Sequence, residues 1–323
     1  MTHPTPPTVS VIIPCFNAAG TIGDQLAALA SQDSAPPFEV LLVDNRSTDD
    51  LSAAVAAFQN TDGFRLRIVD AAEHQGTSYA RNVGIREAAS DLLMFCDADD
   101  IVGKWWVRNG TDAFTEAPLW TGAIVLLEDE VFHGGIAAVR QALDEQPRTP
   151  QVTDSQPTAF PVLAGGNFGA TRDALLAVGG FDQSFPTQGE DNDFGYRARR
   201  LGFRVEVANG VKIGYRGRWD PETRARLAFG KAKAHALIVT RYDAWSQSHY
   251  NRWWAAPIRW LFDGAVLRVR GTREQKDHWI IRGGAVQGFF WGVILYRFPG
   301  RRPAQQIGLG WLEHREEAPR GTP

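Results

Sequence analysis

The feature that most constrains this chain is an alternation in its first hundred residues. Short apolar runs at Val9–Pro14, Glu39–Asp44 (EVLLVD) and Asp91–Asp97 (DLLMFCD), with a smaller one at Leu66–Asp70, are separated by segments of helical spacing. In Thr21–Ala30 the residues Ile22, Leu26 and Leu29 recur every three or four positions. Leu51, Val55 and Phe58 do the same in Asp49–Phe58, and Ser78–Ala89 reads as a third helix. Strands that are apolar throughout, rather than at alternate positions, are covered on both faces. The pattern therefore predicts an α/β fold, a mostly parallel sheet flanked by helices. In such sheets ligands bind beyond the carboxyl ends of the strands, the edge where Asn17, Asp44 and Asp97 fall.

The rest of the chain is read more coarsely. Leu119–Leu127 and Arg204–Ala208 read as strands, and Thr171–Val178 and Glu190–Leu201 as helices. Glu145–Pro161, with four prolines, and Gly179–Gly189 read as loops. After about residue 216 the pattern is helical, in Pro221–Tyr242, Arg252–Arg270 and Trp279–Phe298. The polar tail from Arg301 is expected to be poorly ordered. A net charge of -3 hides a split: residues 1–200 sum to -14 and residues 201–323 to +11, and 8 of the 11 Trp follow residue 200. Cys15 and Cys96 cannot build a disulfide framework and lie in apolar runs, so they read as buried free thiols, as suits a reducing compartment. MTHPTPPT has neither the basic nor the apolar region of a signal peptide. No uncharged apolar run reaches the ~20 residues that span a bilayer.

Three clusters carry chemistry. Asp97-Ala98-Asp99-Asp100 places three carboxylates in four residues after an apolar strand. Their mutual repulsion is relieved by a hard divalent cation, which prefers oxygen ligands and is often completed by substrate phosphates; the plainer alternative is a solvated turn. Gly76-Thr77-Ser78-Tyr79-Ala80-Arg81-Asn82 opens a helix with a cation one turn in, a place that favours anions, or else Ser78 only caps and Arg81 pairs with a surface carboxylate. Asp44-Asn45-Arg46-Ser47-Thr48-Asp49-Asp50 is a polar burst in which Asp44 can accept from a base or ribose, while Asp49 is read as the cap of the next helix.

Together VSVIIPCFNA, LLVDNRSTDD, QGTSYARNVGIREAASDLLMFCDADD, GGNFGATRDALLAVGGFD and GEDNDFGYRARRLGFRV resemble the inverting family 2 glycosyltransferases of GT-A (Rossmann-like) fold. The resemblance covers about residues 8–210. It implies a catalytic domain over 1–215, with a nucleotide-sugar half at about 8–130 and an acceptor half at about 131–215, followed by a basic, Trp-rich helical appendage over 216–323. It implies that Pro14, Phe16 and Asn17 line the nucleoside pocket, that Asp44 contacts the base and that Arg81 lies near the diphosphate. Asp97 and Asp99 match the DxD motif, with Asp99 on a Mn²⁺ or Mg²⁺ ion and Asp97 on the ribose or the metal. Asp191, in the Glu190-Asp191 pair, matches the base that takes the acceptor's proton during inversion. Gly165, Gly166 and Asn167 fall on the acceptor side. The implied partners are a nucleotide-diphospho-sugar and a glycan or lipid-linked acceptor. The alternatives are a non-catalytic glycan- or nucleotide-binding protein of this fold and another nucleotide-dependent transferase, though no G-x-G-x-x-G or P-loop follows a strand.

Two departures stand out. Val211–Arg216 lacks the histidine many relatives carry there, and His235, the next one, reads as an ordinary core or surface residue. The Gln-x-x-Arg-Trp signature of processive synthases is absent, which favours transfer of a single sugar. The basic C-terminal third has no nucleic-acid motif. Trp253, Trp254, Trp260, Phe262 and Leu267, with Arg252, Arg259, Arg268 and Arg270, suit an anionic membrane surface, and equally a contact with the acidic half or a homo-oligomer. The expected location is cytoplasmic, peripheral on the inner face of the membrane.

Overall fold

The structure, a computed structural model, describes residues 6–144, 149–154, 158–185, 188–250 and 254–312. Trp253, Arg252 and part of the Glu145–Pro161 loop lie outside the described residues, as does the Arg268 side chain. In chain order the elements are β1 (Val9–Cys15), α1 (Ile22–Ala30), β2 (Phe38–Asp44), α2 (Leu51–Val55), β3 (Arg65–Asp70), α3 (Thr77–Glu87), β4 (Leu92–Cys96), β5 (Ile101–Val102), α4 (Trp106–Ala113), β6 (Leu119–Leu127), α5 (Asp129–His133), α6 (Gly135–Leu143), β7 (Val152–Thr153), β8 (Asn167–Thr171), α7 (Arg172–Val178), α8 (Glu190–Arg200), β9 (Glu206–Arg216), α9 (Pro221–Arg241), α10 (Ala256–Arg270) and α11 (Arg273–Tyr296).

The strands form one sheet in the order β3-β2-β1-β4-β8-β6-β9-β5, with β7 on β9. β3, β2, β1 and β4 run parallel, as the alternation requires. Beyond them the sheet is mixed: β8 enters antiparallel between β4 and β6, β9 runs parallel to β6, and β5 pairs antiparallel with β9. Successive strand residues feed two separate cores. Val11, Ile13, Val40, Leu42 and Met94 pack on the face carrying α1, α2, α4 and α6. Ile12, Leu41, Val43, Leu93 and Phe95 pack on the other, with α3 and α7. This two-sided burial is why the strands read as unbroken apolar runs. Cys15 and Cys96 are buried and free.

Helix ends follow local chemistry. Asp50, and not Asp49 as expected, caps α2, accepting from Ala53 N at 2.9 Å. Asp49 instead accepts from Ala19 N at 2.7 Å and braces the loop after β1. Thr171 caps α7, which stops at left-handed Gly179.

The chain divides into two compact units. One comprises residues 1–183, 194–217 and 306–323; the other comprises 184–193 and 218–305. The segment 306–312 is not a loose tail as expected: Asn82 donates to Leu309 O, Arg86 to Gly310 O, and Trp311 is buried among Tyr79, Val83 and their neighbours. In the helical unit α9 packs closely on α11. Cβ atoms at Gly284 and Gly288 would strike the α9 backbone at Ala225 and Phe229, and one at Gly292, a further turn on, would strike the Ala236 side chain. That stripe accepts the cost of helical glycine, about 1 kcal/mol each, for backbone contact. α10 locks onto α11 through Trp260 and Trp279, whose rings stack at 4.8 Å while each indole N–H donates to the other's backbone carbonyl.

Candidate active site

The carboxyl ends of β1, β2 and β3 lie level, with Cys15 opposite Asp44 and Asp44 opposite Asp70. Beyond β1, Phe16 is 54% exposed and Asn17 adopts a left-handed conformation that asparagine tolerates. Asn17 Oδ1 accepts from Thr48 N at 2.7 Å, and Asp44 Oδ1 accepts from Ser47 N at 3.0 Å. These bonds knit the loops after β1 and β2 into one rim, which leaves the Phe16 ring open to solvent. Pro14 is half-buried at the end of β1.

The acidic turn after β4 is held from three sides. Gln25, fully buried on α1, donates to Asp97 O at 3.1 Å and accepts from Val102 N at 3.0 Å, so one side chain brackets residues 97–102. The antiparallel pairing of Cys96 with Asn167 sets Gly165 and Gly166 beside Asp97. The pairing of Ile101 with Gly214 brings the end of β9 beside Asp100, and Arg216 N donates to Asp100 Oδ1 at 3.2 Å. Arg81, 3% exposed on α3, donates to Gly165 O at 2.9 Å and lies 3.8 Å from Asp97, its guanidinium 5.4 Å from the Phe181 ring centroid. Its partner is thus the cluster itself, and Ser78 does not cap α3 but donates to Asp182 O.

Electrostatics mark Asp100. It is 1% exposed, and among the described residues its Oδ2 has no hydrogen-bond donor. Burial first, then the charges of Asp97 and Asp99, hold its carboxyl well above the usual range. A Cβ on Gly166 would sit 2.5 Å from Asp97 Oδ2 and 3.4 Å from Asp100 Oδ2. The bare glycine therefore keeps open a space toward which two carboxylate oxygens converge. Hard oxygen donors, one of them buried and unsatisfied, fit Mg²⁺ or Mn²⁺. Among the described residues no three His, Cys, Asp or Glu side chains form a metal cage. A cation here would draw on few protein oxygens and complete its shell with phosphate or water.

One expected site residue is corrected. Asn167 does not face an acceptor: it is fully buried, accepting from Trp106 Nε1 at 2.9 Å and donating to Ala123 O and Val211 O. GGNFGA resembles a loop in sequence, but its last four residues are strand, and Asn167 stitches β8 to β6 and β9. Sequence reasoning does not single out Gln25 or Asn45 as supports of the site. Asn45 donates to Ala71 O and His74 O and accepts from Gly76 N, fixing the approach to α3. A signal existed for Gln25, a polar residue on the same helical face as Ile22 and Leu29.

Glu190 and Asp191 open α8 and belong to the helical unit. Asp191 Oδ1 accepts from Asn192 N at 2.7 Å, and both acids sit where the helix N-terminus favours negative charge. Asp193, two positions on from Asp191, is fully buried and accepts from the Tyr242 hydroxyl at 2.9 Å; Gln305 donates to the same hydroxyl.

The fold is thus a mixed sheet with an acid-and-arginine cluster at its carboxyl edge. The family model described as "Glycosyl transferase family 2" matches residues 10–178, and the chain belongs to that family. Among relatives, glycosyltransferase AglE of Haloferax volcanii is 36% identical over 113 residues, 34% of this chain and 36% of that protein. The succinoglycan biosynthesis protein ExoU of Rhizobium meliloti is 42% identical over 118 residues, 35% of this chain and 33% of that protein. The chain thus matches about a third of the length of these relatives. The mannosyltransferase PcManGT from Pyrobaculum calidifontis, solved with GDP-Man and Mn²⁺, shares the fold with a TM-score of 0.58 at 19% identity, covering 90% of this chain and 88% of that one.

Proposed function

We propose that this family 2 glycosyltransferase moves one sugar, with inversion, from a nucleotide-diphospho-sugar to a hydroxyl of a glycan or lipid-linked acceptor in cell-surface glycan assembly. The reading is supported above all by the convergence of Arg81, Asp97 and the unsatisfied Asp100 oxygen around Gly166. Phe16, Pro14, Asn17 and Asp44 form the rim that takes the nucleoside, and Arg81 binds the diphosphate. Asp97 and Asp99 would supply oxygens to a divalent cation, which when bound neutralises charge on the diphosphate. Asp191 takes the proton from the acceptor hydroxyl as its oxygen bonds to the sugar C1 and the bond from C1 to the diphosphate oxygen breaks. Glu190 stands beside it in the same turn. Arg81, a fixed guanidinium, stabilises the charge left on the diphosphate. No covalent intermediate is needed. The polysaccharide-biosynthesis role of ExoU and the GDP-Man and Mn²⁺ of PcManGT define the first donors and metals to try.

The test is a thermal-shift panel of UDP-, GDP- and dTDP-sugars with and without Mn²⁺, followed by transfer assays and determination of the product's anomeric configuration. Stabilisation by one donor series with Mn²⁺, and an inverted product, is expected. Asp191→Asn should lower transfer by about 100-fold or more while binding donor normally. A retained configuration would reject the inverting assignment, and full activity of Asp191→Asn would reject the base.

A further inference from the structure

The helical unit carries an apolar face that none of its described residues covers. On α10, Ile258, Leu261, Phe262 and Val266 recur at spacings of three and four, and Trp254 precedes them by one turn. Ile258 is 67% exposed, Leu261 63% and Phe262 70%; Val266 and Trp254 are also exposed. The other side of the helix is spent on α11, through Trp260 and the close approach of Gly264 to Trp279. Single exposed apolar residues are ordinary, but four on one face of one helix, with Trp254 just ahead of it, are not.

Charge distinguishes the occupants. Residues 218–305 hold 16 Lys and Arg against 6 Asp and Glu, a net of +10. Arg259 and Arg270 are exposed on α10 itself. A second copy packed through this same face would set like charge against like. An anionic bilayer supplies the opposite charge and an apolar interior for the face, the arrangement of helices that lie in the headgroup plane. No helix among the described residues is long and apolar enough to cross a membrane, so α10 would lie along the surface.

We propose that the exposed face of α10, with its flanking arginines, docks this protein onto an anionic lipid bilayer. The inference does not depend on the transfer chemistry, since none of these residues belongs to the proposed active site. The test is flotation of the full chain with vesicles of phosphatidylcholine alone and of phosphatidylcholine with phosphatidylglycerol, at low and high salt. Flotation with the anionic vesicles, weakened by salt and absent with phosphatidylcholine alone, is expected. The triple variant Ile258→Gln, Leu261→Gln, Phe262→Gln should bind about 10-fold less or weaker still. Because those positions are exposed, it should melt at the wild-type temperature. Absent flotation at low salt, or equal flotation of the triple variant, overturns the proposal. So does a wild-type dimer in lipid-free sedimentation that the triple variant dissolves, which would assign the face to a second copy.

Discussion

Tyr242, just past the end of α9, donates its hydroxyl proton to buried Asp193 in the first turn of α8, at 2.9 Å. The bond fixes the turn that carries Glu190 and Asp191. Gly189 is pressed against Ala234 on the same helix, so the turn is anchored on both sides of the acidic pair. Tyr242→Phe keeps the ring and removes the hydroxyl that donates to Asp193 and accepts from Gln305. On the proposed role of Asp191, transfer should slow by about 10- to 100-fold, because small displacements of a catalytic group are costly. The stability cost should be roughly 1–2 kcal/mol. Donor affinity should hold, since the residues proposed to bind nucleoside and diphosphate belong to the sheet unit. Steady-state kinetics with donor titration separates the effects, and a raised donor KM with unchanged kcat would count against this positioning role.

Arg81 gives the second prediction. It is almost fully buried yet charged, and its guanidinium serves Gly165 O and Asp97 together. Arg81→Lys preserves charge but not the planar fork, which suits phosphate as well as carboxylate. Affinity for the nucleoside diphosphate should drop about 10-fold, roughly 1.4 kcal/mol, as read by calorimetry. Arg81→Ala should in addition lower the urea midpoint, because it strips a partner from Asp97. Unchanged affinity in Arg81→Lys would remove Arg81 from the donor site.

Gly166 offers a steric test of the carboxylate cleft. Gly166→Ala places a methyl 2.5 Å from Asp97 Oδ2, so the carboxylate must move. Mn²⁺ and donor affinity should each fall about 10-fold, while the melting temperature changes by only a few degrees, the shift of about 1 kcal/mol. Gly23→Ala, in α1 with nothing within 4 Å of the new methyl, is the control and should stabilise by about 0.5–1 kcal/mol. If both substitutions behave alike, the space beside Asp97 has no binding role.

How much of this was legible beforehand follows the range of the interactions. β1, β2, β4 and the parallel order were readable because two-sided burial writes itself into consecutive residues. The acidic turn and Arg81 were readable because their chemistry is dense in sequence. Asn167 was not, since a Gly-rich run has the same composition in a loop and in a crowded strand; only the partners Trp106, Ala123 and Val211 decide. Asp49 and Asp50 compete for one cap, and the loop amide of Ala19 settles it from 30 residues away. The Gly284-Gly288-Gly292 stripe shows in the sequence as a spacing of four, but only the α9 backbone at Ala225 and Phe229 gives it a meaning. The return of residues 306–312 to the sheet unit rests largely on Trp311, a single aromatic in a polar tail.

His235 supplies a prediction about pH. It is largely buried in the helical unit, its Nε2 2.9 Å from Ser248 Oγ and its ring 4.9 Å from that of His249. Burial first, and the neighbouring His249 second, push its pKa down from 6.5 to about 4. The folded state therefore binds fewer protons than the unfolded state between those values, and stability rises with pH across that window. The contribution is fully present above about pH 6.5 and is lost as pH falls toward 4, amounting to about 3 kcal/mol at most. Calorimetric melting at several pH values from 4.5 to 7.5, window limits chosen about the two pKa values, should show a transition that drops on acidification. His235→Gln, which cannot take up the proton, should flatten that dependence even where it lowers stability at neutral pH. A variant with the wild-type slope would mean that other groups carry the acid sensitivity and that His235 is already protonated in the fold.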